Sequence, residues 1–365
     1  MSEWKEYKLG DLLTIKYGKD HKQLSDGVYP VYGSGGIMRY ANKYLYDKES
    51  ILIPRKGSLN NIFYEDKAFW TVDTMFWSEI DSKKVFPKFL FYQLSLVDFE
   101  SLNVGSAVPS LTIPVINDVD ILLPPLDEQK RIASILSSLD DKMDLLNREN
   151  ATLEAMAETL FRQWFIEDAK EDWEEGKLGD AIEVYDYKRK PLSKMERDKM
   201  KSGTILYPYY GAAEIMDYID SYLFEGEYIL MGEDGTVKTD EGYPVLQYAT
   251  GKFWPNNHAH ILQAKEPYNN CFIWYYLKTT NIENIVTGAV QPKINQANML
   301  SLPFYNYPLE LINKYKSATQ YCWKKKMKNA EQVKKLIILR DILLPKLMSN
   351  EIQLWPNFWN LTLSS

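Results

Sequence analysis

Thiol and imidazole chemistry is scarce in this chain. Its 365 residues include two cysteines, Cys271 and Cys322, and three histidines, too few for a disulfide framework or a zinc ligand set. That usage points to a reducing cytosol. No run of ~18 apolar residues is available to span a bilayer, and Met1–Glu6 lacks the basic flank and apolar stretch of a secretion signal. A cytoplasmic protein without membrane contact is therefore expected. The G-x-x-x-x-G-K-[ST] phosphate loop is absent, and so is the G-x-S-x-G elbow of serine hydrolases. The Asn/Asp-Pro-Pro-Tyr/Phe motif of DNA amino-methyltransferases is missing too, since Leu123-Pro124-Pro125-Leu126 lacks the polar residue that would hold an amino group. His258 and His260 share one face of a strand by their i, i+2 spacing. No third metal ligand accompanies them, so they read as polar loop or strand contacts. The chain is expected to carry no catalytic residue and no metal of its own.

What is present is the composition of a folded protein, 45% hydrophobic and 14% aromatic with a net charge of −7. At ~100–200 residues per domain, this length makes two or three units. An internal repeat decides between them. Trp4–Asp11 recurs as Trp173–Asp180, Tyr29–Gly33 as Tyr207–Gly211, and Ser50–Gly57 as Tyr228–Gly235. Trp70 matches Trp254, while Gly105 and Pro109 match Gly288 and Pro292. The order is kept while the offset drifts, as in two copies of one domain with loop insertions.

A long helical pattern follows each copy. In the first, Ile132, Leu136, Leu139, Met143, Leu146, Asn150, Leu153, Ala157, Leu160 and Trp164 alternate spacings of four and three, a heptad seam with one polar residue, Asn150. In the second, Tyr315, Cys322, Val333, Leu336, Leu343 and Leu347 trace a weaker seam, with Pro345 near its end. Residues 126–168 carry net charge −5 and residues 309–365 carry +6, so the two rods complement each other. The expected layout is a target-binding domain at 1–125, a central helix at 126–168, a second domain at 169–308, a second helix at 309–350 and a tail at 351–365. The fold class is α+β: two mixed α/β domains separated by two long coiled-coil helices that pack on each other. Within the domains, Tyr44–Pro54 and Tyr228–Met231 read as strands, Gly33–Gly36 and Gly203–Gly211 as tight loops, and Pro87–Leu96 and Cys271–Thr279 as helices.

Binding signals outweigh catalytic ones. Lys188-Arg189-Lys190, Lys194, Arg197, Lys199 and Lys201 crowd one segment of an acidic chain, and Lys16, Lys19, His21 and Lys22 occupy the matching stretch. Clustered loop cations suit DNA phosphates. Residues able to read base edges sit nearby: Arg55, Lys56 and Ser58 in the first copy, and Asn256, Asn257 and Gln291 in the second, with His258 in the same DNA-facing loop as Asn256 and Asn257. Glu233 and Asp234 replace Arg55 and Lys56, so the copies present different chemistry at one position. The remaining candidates for a DNA-facing surface are Gly33, Ser34, Gly35, Gly36 and Ser106, then Gly211, Ala212 and Lys293. A structural adaptor with peptide- or carbohydrate-binding domains is the alternative, and a salt-dependent DNA affinity separates the two.

Several passages resemble the specificity (S) subunits of type I restriction–modification systems. They are Trp4–Gly18, Gly33–Ile37, Ile53–Ser58, Gly105–Leu111 followed by Pro125-Leu126-Asp127-Glu128-Gln129, Thr287–Lys293, and Leu339–Met348. Pro308–Ile312 departs from the pattern by lacking the Glu-Gln pair. The resemblance implies that each domain reads one half of a split double-stranded DNA site while the two long coiled-coil helices, packed antiparallel, set the gap. It also implies two methyltransferase subunits that bind S-adenosylmethionine and modify adenine N6. Restriction subunits using ATP and Mg2+ would complete the assembly, leaving this chain no cofactor of its own.

Overall fold

Short β-rich runs between turn residues build the first half of this computed structural model, which describes residues 4–170, 172–288 and 290–352. The strands are β1 (Lys5–Lys8), β2 (Leu13–Tyr17), β3 (Asp26–Gly33), β4 (Gly36–Ala41), β5 (Ser50–Pro54), β6 (Phe63–Glu65), β7 (Trp70–Thr71) and β8 (Met75–Ile80). Helices α1 (Pro87–Leu94) and α2 (Ile113–Asn117) follow, then β9 (Asp120–Leu123) and the long α3 (Leu126–Arg162). Three sheets form, ordered β1-β9, β2-β8-β5-β6 and β4-β3-β7. The fully buried run Ser50–Pro54 lies within the second sheet, and its core includes Phe76, Phe89, Leu90 and Ile121. Of the segment Tyr44–Pro54, only the last five residues are strand.

The second half repeats this plan. Strand β10 (Glu175–Lys177), α4 (Leu178–Ala181), β11 (Ile182–Val184) and α5 (Lys194–Lys199) lead into β12 (Tyr207–Tyr210) and β13 (Ile215–Ile219). Next come β14 (Phe224–Gly232), β15 (Leu246–Pro255), β16 (Ala259–Ala264), α6 (Asn270–Thr279), α7 (Gln296–Leu300) and β17 (Pro303–Tyr305), before the long α8 (Leu309–Met348). Its sheets are β10-β17 and β11-β16-β14-β15-β12-β13. That six-strand order is the first half's β2-β8-β5-β6 joined to β7-β3-β4, because β15 runs unbroken where its counterpart is interrupted between β6 and β7. The expected loop Gly203–Gly211 contains β12, whose Tyr207–Tyr210 pairs with both β13 and β15.

Two compact units result. One closes on residues up to Leu145 together with those from Gln332 onward, and the other holds Leu146–Glu331. Each core therefore takes in part of both long helices: Ile132, Leu136, Leu347 and Met348 in the first, and Ala157, Phe161, Phe165, Ile312 and Tyr315 in the second. Past Ala157 the buried line steps by four, to Phe161 and Phe165, instead of continuing through Leu160 and Trp164. There α3 widens into a π-helical turn at Gln163–Glu167.

The seam on α8 is as regular as the one on α3, but part of it is polar. Residues 312, 315, 319, 322, 326, 329, 333, 336, 340, 343 and 347 alternate spacings of three and four, and none is exposed. Thr319, Lys326, Asn329 and Arg340 hold four of those places, which is why hydropathy alone shows it weakly. Asn329 is buried and donates to Asn150 Oδ1 at 3.0 Å and Glu149 Oε2 at 2.7 Å. Lys326 pairs with Glu154 at 2.8 Å and Lys325 with Glu149 at 3.4 Å. In the first unit, Arg340 pairs with Asp140 at 3.3 Å. The acidic and basic rods meet through these pairs, with the chain directions antiparallel in each unit.

Gln129 shows what the Glu-Gln pair does at the start of α3. Its side chain is buried, accepts from Phe86 N at 2.8 Å and donates to Pro124 O at 2.8 Å. It thereby serves the N-terminus of α1, whose N-cap Phe86 has no capping oxygen. In the second unit Asn269 caps α6 itself, accepting from Phe272 N at 2.9 Å. The α8 entry thus manages without such a pair. Among the described residues no helix is long and apolar enough to cross a membrane. The tail from residue 353, with Trp355 and Trp359, lies outside the described residues.

Candidate nucleic-acid interface

The loops named from sequence converge in each unit through one repeated set of bonds. Trp70 Nε1 donates to Lys19 O at 2.9 Å, and Trp254 Nε1 to Lys190 O at 2.7 Å. Each indole thus pins a lysine-bearing loop to the sheet. Val72 N donates to Tyr32 O at 2.9 Å and Asn256 N to Tyr210 O at 3.0 Å, which holds the β3–β4 and β12–β13 hairpins. Arg55 N bonds Thr74 O at 2.8 Å, as Glu233 N bonds His258 O at 2.8 Å. Gly57 N bonds Pro109 O at 3.1 Å, as Gly235 N bonds Pro292 O at 3.0 Å. Leu111 N bonds Arg55 O and Ile294 N bonds Glu233 O, both at 2.9 Å. Gly57 and Gly235 adopt φ of 94° and 87°, a left-handed conformation that glycine enters freely.

In the first unit, Lys19, Lys22, Gly35, Lys56, Ser58 and Ser106 are exposed. Ser34 is half-buried and accepts through its carbonyl from Asn61 Nδ2 at 3.1 Å. Gly33 is buried, and Gly36 turns the hairpin at φ 111°. Arg55 is half-buried: Nη1 donates to Asp73 O at 3.1 Å and its guanidinium lies 5.5 Å from the Tyr17 ring centroid.

The second unit sorts its cations differently. Lys188, Lys190, Lys194 and Lys293 are exposed, the first over the Tyr185 and Tyr187 rings. Arg189, expected among the phosphate contacts, points inward with its side chain 15% exposed. It pairs with Glu233 and Asp186 and donates to Ala259 O at 2.8 Å. Arg197 is likewise held by Asp217 at 3.1 Å, and Lys201 by Asp198 and Asp217. Asn256 is buried and accepts from His258 N at 2.8 Å, which turns it away from a reading role. Asn257 and Gln291 are exposed, His258 and Ala212 half-buried, and Gly211 buried.

His260 is the hub that sequence reasoning set aside. Its buried ring has Nδ1 2.6 Å from Asp186 Oδ2 and Nε2 2.9 Å from Ile294 O. Asp186 Oδ1 also accepts from Ile261 N at 2.9 Å. Asp186, Glu233 and His260 bring ligand-type atoms within 4.8 Å of one another, but the Arg189 guanidinium already neutralises those carboxylates. The cluster ties the loops at 186–189, 233–235 and 291–294 to β16. Nucleophilic chemistry finds little support at Cys271, whose thiol burial pushes up to about 12, partly offset by Thr319.

The sequence model described as the type I restriction modification DNA specificity domain matches residues 1–155 and 170–314. A putative type I restriction enzyme specificity subunit of Haemophilus influenzae is 35% identical over 151 residues, 41% of this chain and 37% of the relative. A type I restriction enzyme specificity subunit of Methanocaldococcus jannaschii is 23% identical over 393 residues, covering 96% of this chain and 88% of the relative. The crystal structure of a type I restriction-modification system S subunit from M. genitalium shares the fold with a TM-score of 0.65 at 18% identity, over 95% of this chain and 96% of that one. The chain belongs to the type I restriction modification DNA specificity domain family and carries that domain twice.

Proposed function

We propose that each unit reads one half of a split, asymmetric double-stranded DNA site, and that α3 and α8 set the gap between the halves. The observation that carries this reading is the shared loop framework, which five repeated bonds hold while the side chains on it differ. Two frames of one shape with unlike readers suit two unlike half-sites. Lys19 and Lys22 in one unit, and Lys188, Lys190, Lys194 and Lys293 in the other, supply the phosphate contacts. Ser34, Ser58, Ser106, Asn257, His258 and Gln291 face the bases.

The chain itself performs no catalysis in this reading. Two methyltransferase subunits carrying S-adenosylmethionine dock on the helices and methylate adenine N6, and restriction subunits supply ATP- and Mg2+-dependent cleavage in the cytoplasm. The test is mapping of N6-methyladenine across the genome in cells with and without this chain, the methyltransferase being present in both. A split motif that vanishes with the chain is expected. Unchanged methylation would favour the adaptor reading.

A further inference from the structure

The repeated turn carries residues of opposite charge at two successive positions, and the units dispose of the first pair internally. Arg55 is occupied by the Asp73 carbonyl and the Tyr17 ring. Glu233 is occupied by Arg189, with Lys293 3.6 Å away. The second pair, Lys56 and Asp234, occupies matching places: Lys56 bridges to Ser110 and Asp234 to Lys293, and each precedes the left-handed glycine. Lys56 is exposed and makes no ion pair among the described residues. Asp234 accepts from Gln291 Nε2 at 2.9 Å through Oδ1, while Oδ2 lies 3.7 Å from His258 Nδ1. A carboxylate has about four acceptor sites, so Asp234 retains free ones.

An ammonium can only donate and a carboxylate can only accept. In the major groove guanine presents the acceptors O6 and N7, whereas cytosine N4 and adenine N6 are amino donors. A carboxylate facing DNA phosphates is repelled, so its favourable contact in such an interface is a base amino group. We infer that Lys56 selects guanine at its contact in the first half-site, and that Asp234 selects an amino-bearing base at the equivalent contact in the second. Gln291 holds the Asp234 carboxylate in place. The inference rests on the reading that these loops dock on DNA.

The test is selection from randomised duplexes by the complex of the full chain with its system's methyltransferase subunits, comparing wild type, K56Q, D234A and D234K. Wild type should select a two-part site with guanine at one contact and cytosine or adenine at the other, and the selected base tells which amino group is read. D234A removes the acceptor and should relax that one preference by about 5- to 150-fold, the range of one good side chain–base pair. D234K should move it toward guanine, and K56Q should relax only the guanine. The untouched half-site in each variant reports that the protein is folded. If wild type selects a split site and K56Q and D234A change no base preference, the inference is overturned while the functional reading stands. If wild type selects no sequence, the functional reading fails and takes the inference with it.

Discussion

Arg189→Ala removes the guanidinium from the buried charge cluster of the second unit. The partners left behind are Glu233 and Asp186, with side chains 13% and 8% exposed. Removing one member of a buried pair costs ~3–5 kcal/mol, because the remaining charge stays desolvated. His260 still faces Asp186 at 2.6 Å, and Lys293 lies 3.6 Å from Glu233. The lysine compensates Glu233 in part and the imidazole contact with Asp186 remains, which sets the expectation at the lower end, about 3 kcal/mol. For a unit of this size that is a fall of roughly 6–12 °C in melting temperature. Arg55→Ala is the internal comparison at the matching turn, because that cation is half-exposed and held by one carbonyl and a ring. Its loss should cost ~1 kcal/mol or less, since water replaces what it gives up. Urea unfolding of the full chain, followed by tryptophan fluorescence, measures both. Adding Glu233→Gln to Arg189→Ala should recover part of the loss by removing the uncompensated charge. Equal costs for Arg189→Ala and Arg55→Ala would refute the account of Arg189 as a structural cation.

Three further outcomes follow from the same geometry. Neutralising Lys188, Lys190 and Lys194 together should lower the slope of log affinity against log salt by about one for each DNA phosphate that these lysines neutralise; an unchanged slope removes this loop from the interface. Gly18→Ala would place a Cβ 2.0 Å from Val72 O, a backbone atom that cannot step aside, whereas a Cβ on Gly35 meets nothing within 4 Å. The first should cost about 3 kcal/mol and the second under ~0.5 kcal/mol, read as a shift in the urea midpoint. Burial opposes the charge on Glu154, but bonds from Lys278 and Lys326 outweigh it and hold its carboxyl below the ordinary 4.5. The unfolded chain then binds that proton at higher pH than the folded one. The stabilisation is complete above pH ~4.5 and is lost as pH falls through the lower folded value. Glu154→Gln should flatten the acid limb of stability between about pH 5 and 3, and an unaltered limb would count against these bonds.

Repeat order, the two long helices and their opposite charges were legible in the sequence, because a heptad seam and a drifting offset survive in one dimension. The matching tryptophans Trp70 and Trp254 were visible as landmarks, but their task was not. Only the fold shows each indole holding a lysine-bearing loop. The seam of α8 looked weak from hydropathy because Lys326, Asn329 and Arg340 sit on it, and their fitness for burial depends on Glu154, Asn150 and Asp140 about 170–200 residues away in the chain. The lysine-rich segment 188–201 reads as a single basic patch, yet the fold separates exposed Lys188, Lys190 and Lys194 from Arg189 and Arg197. A charged side chain shows its sign in the sequence. Whether it meets water, a phosphate or a buried carboxylate is decided by strands that the sequence places far apart.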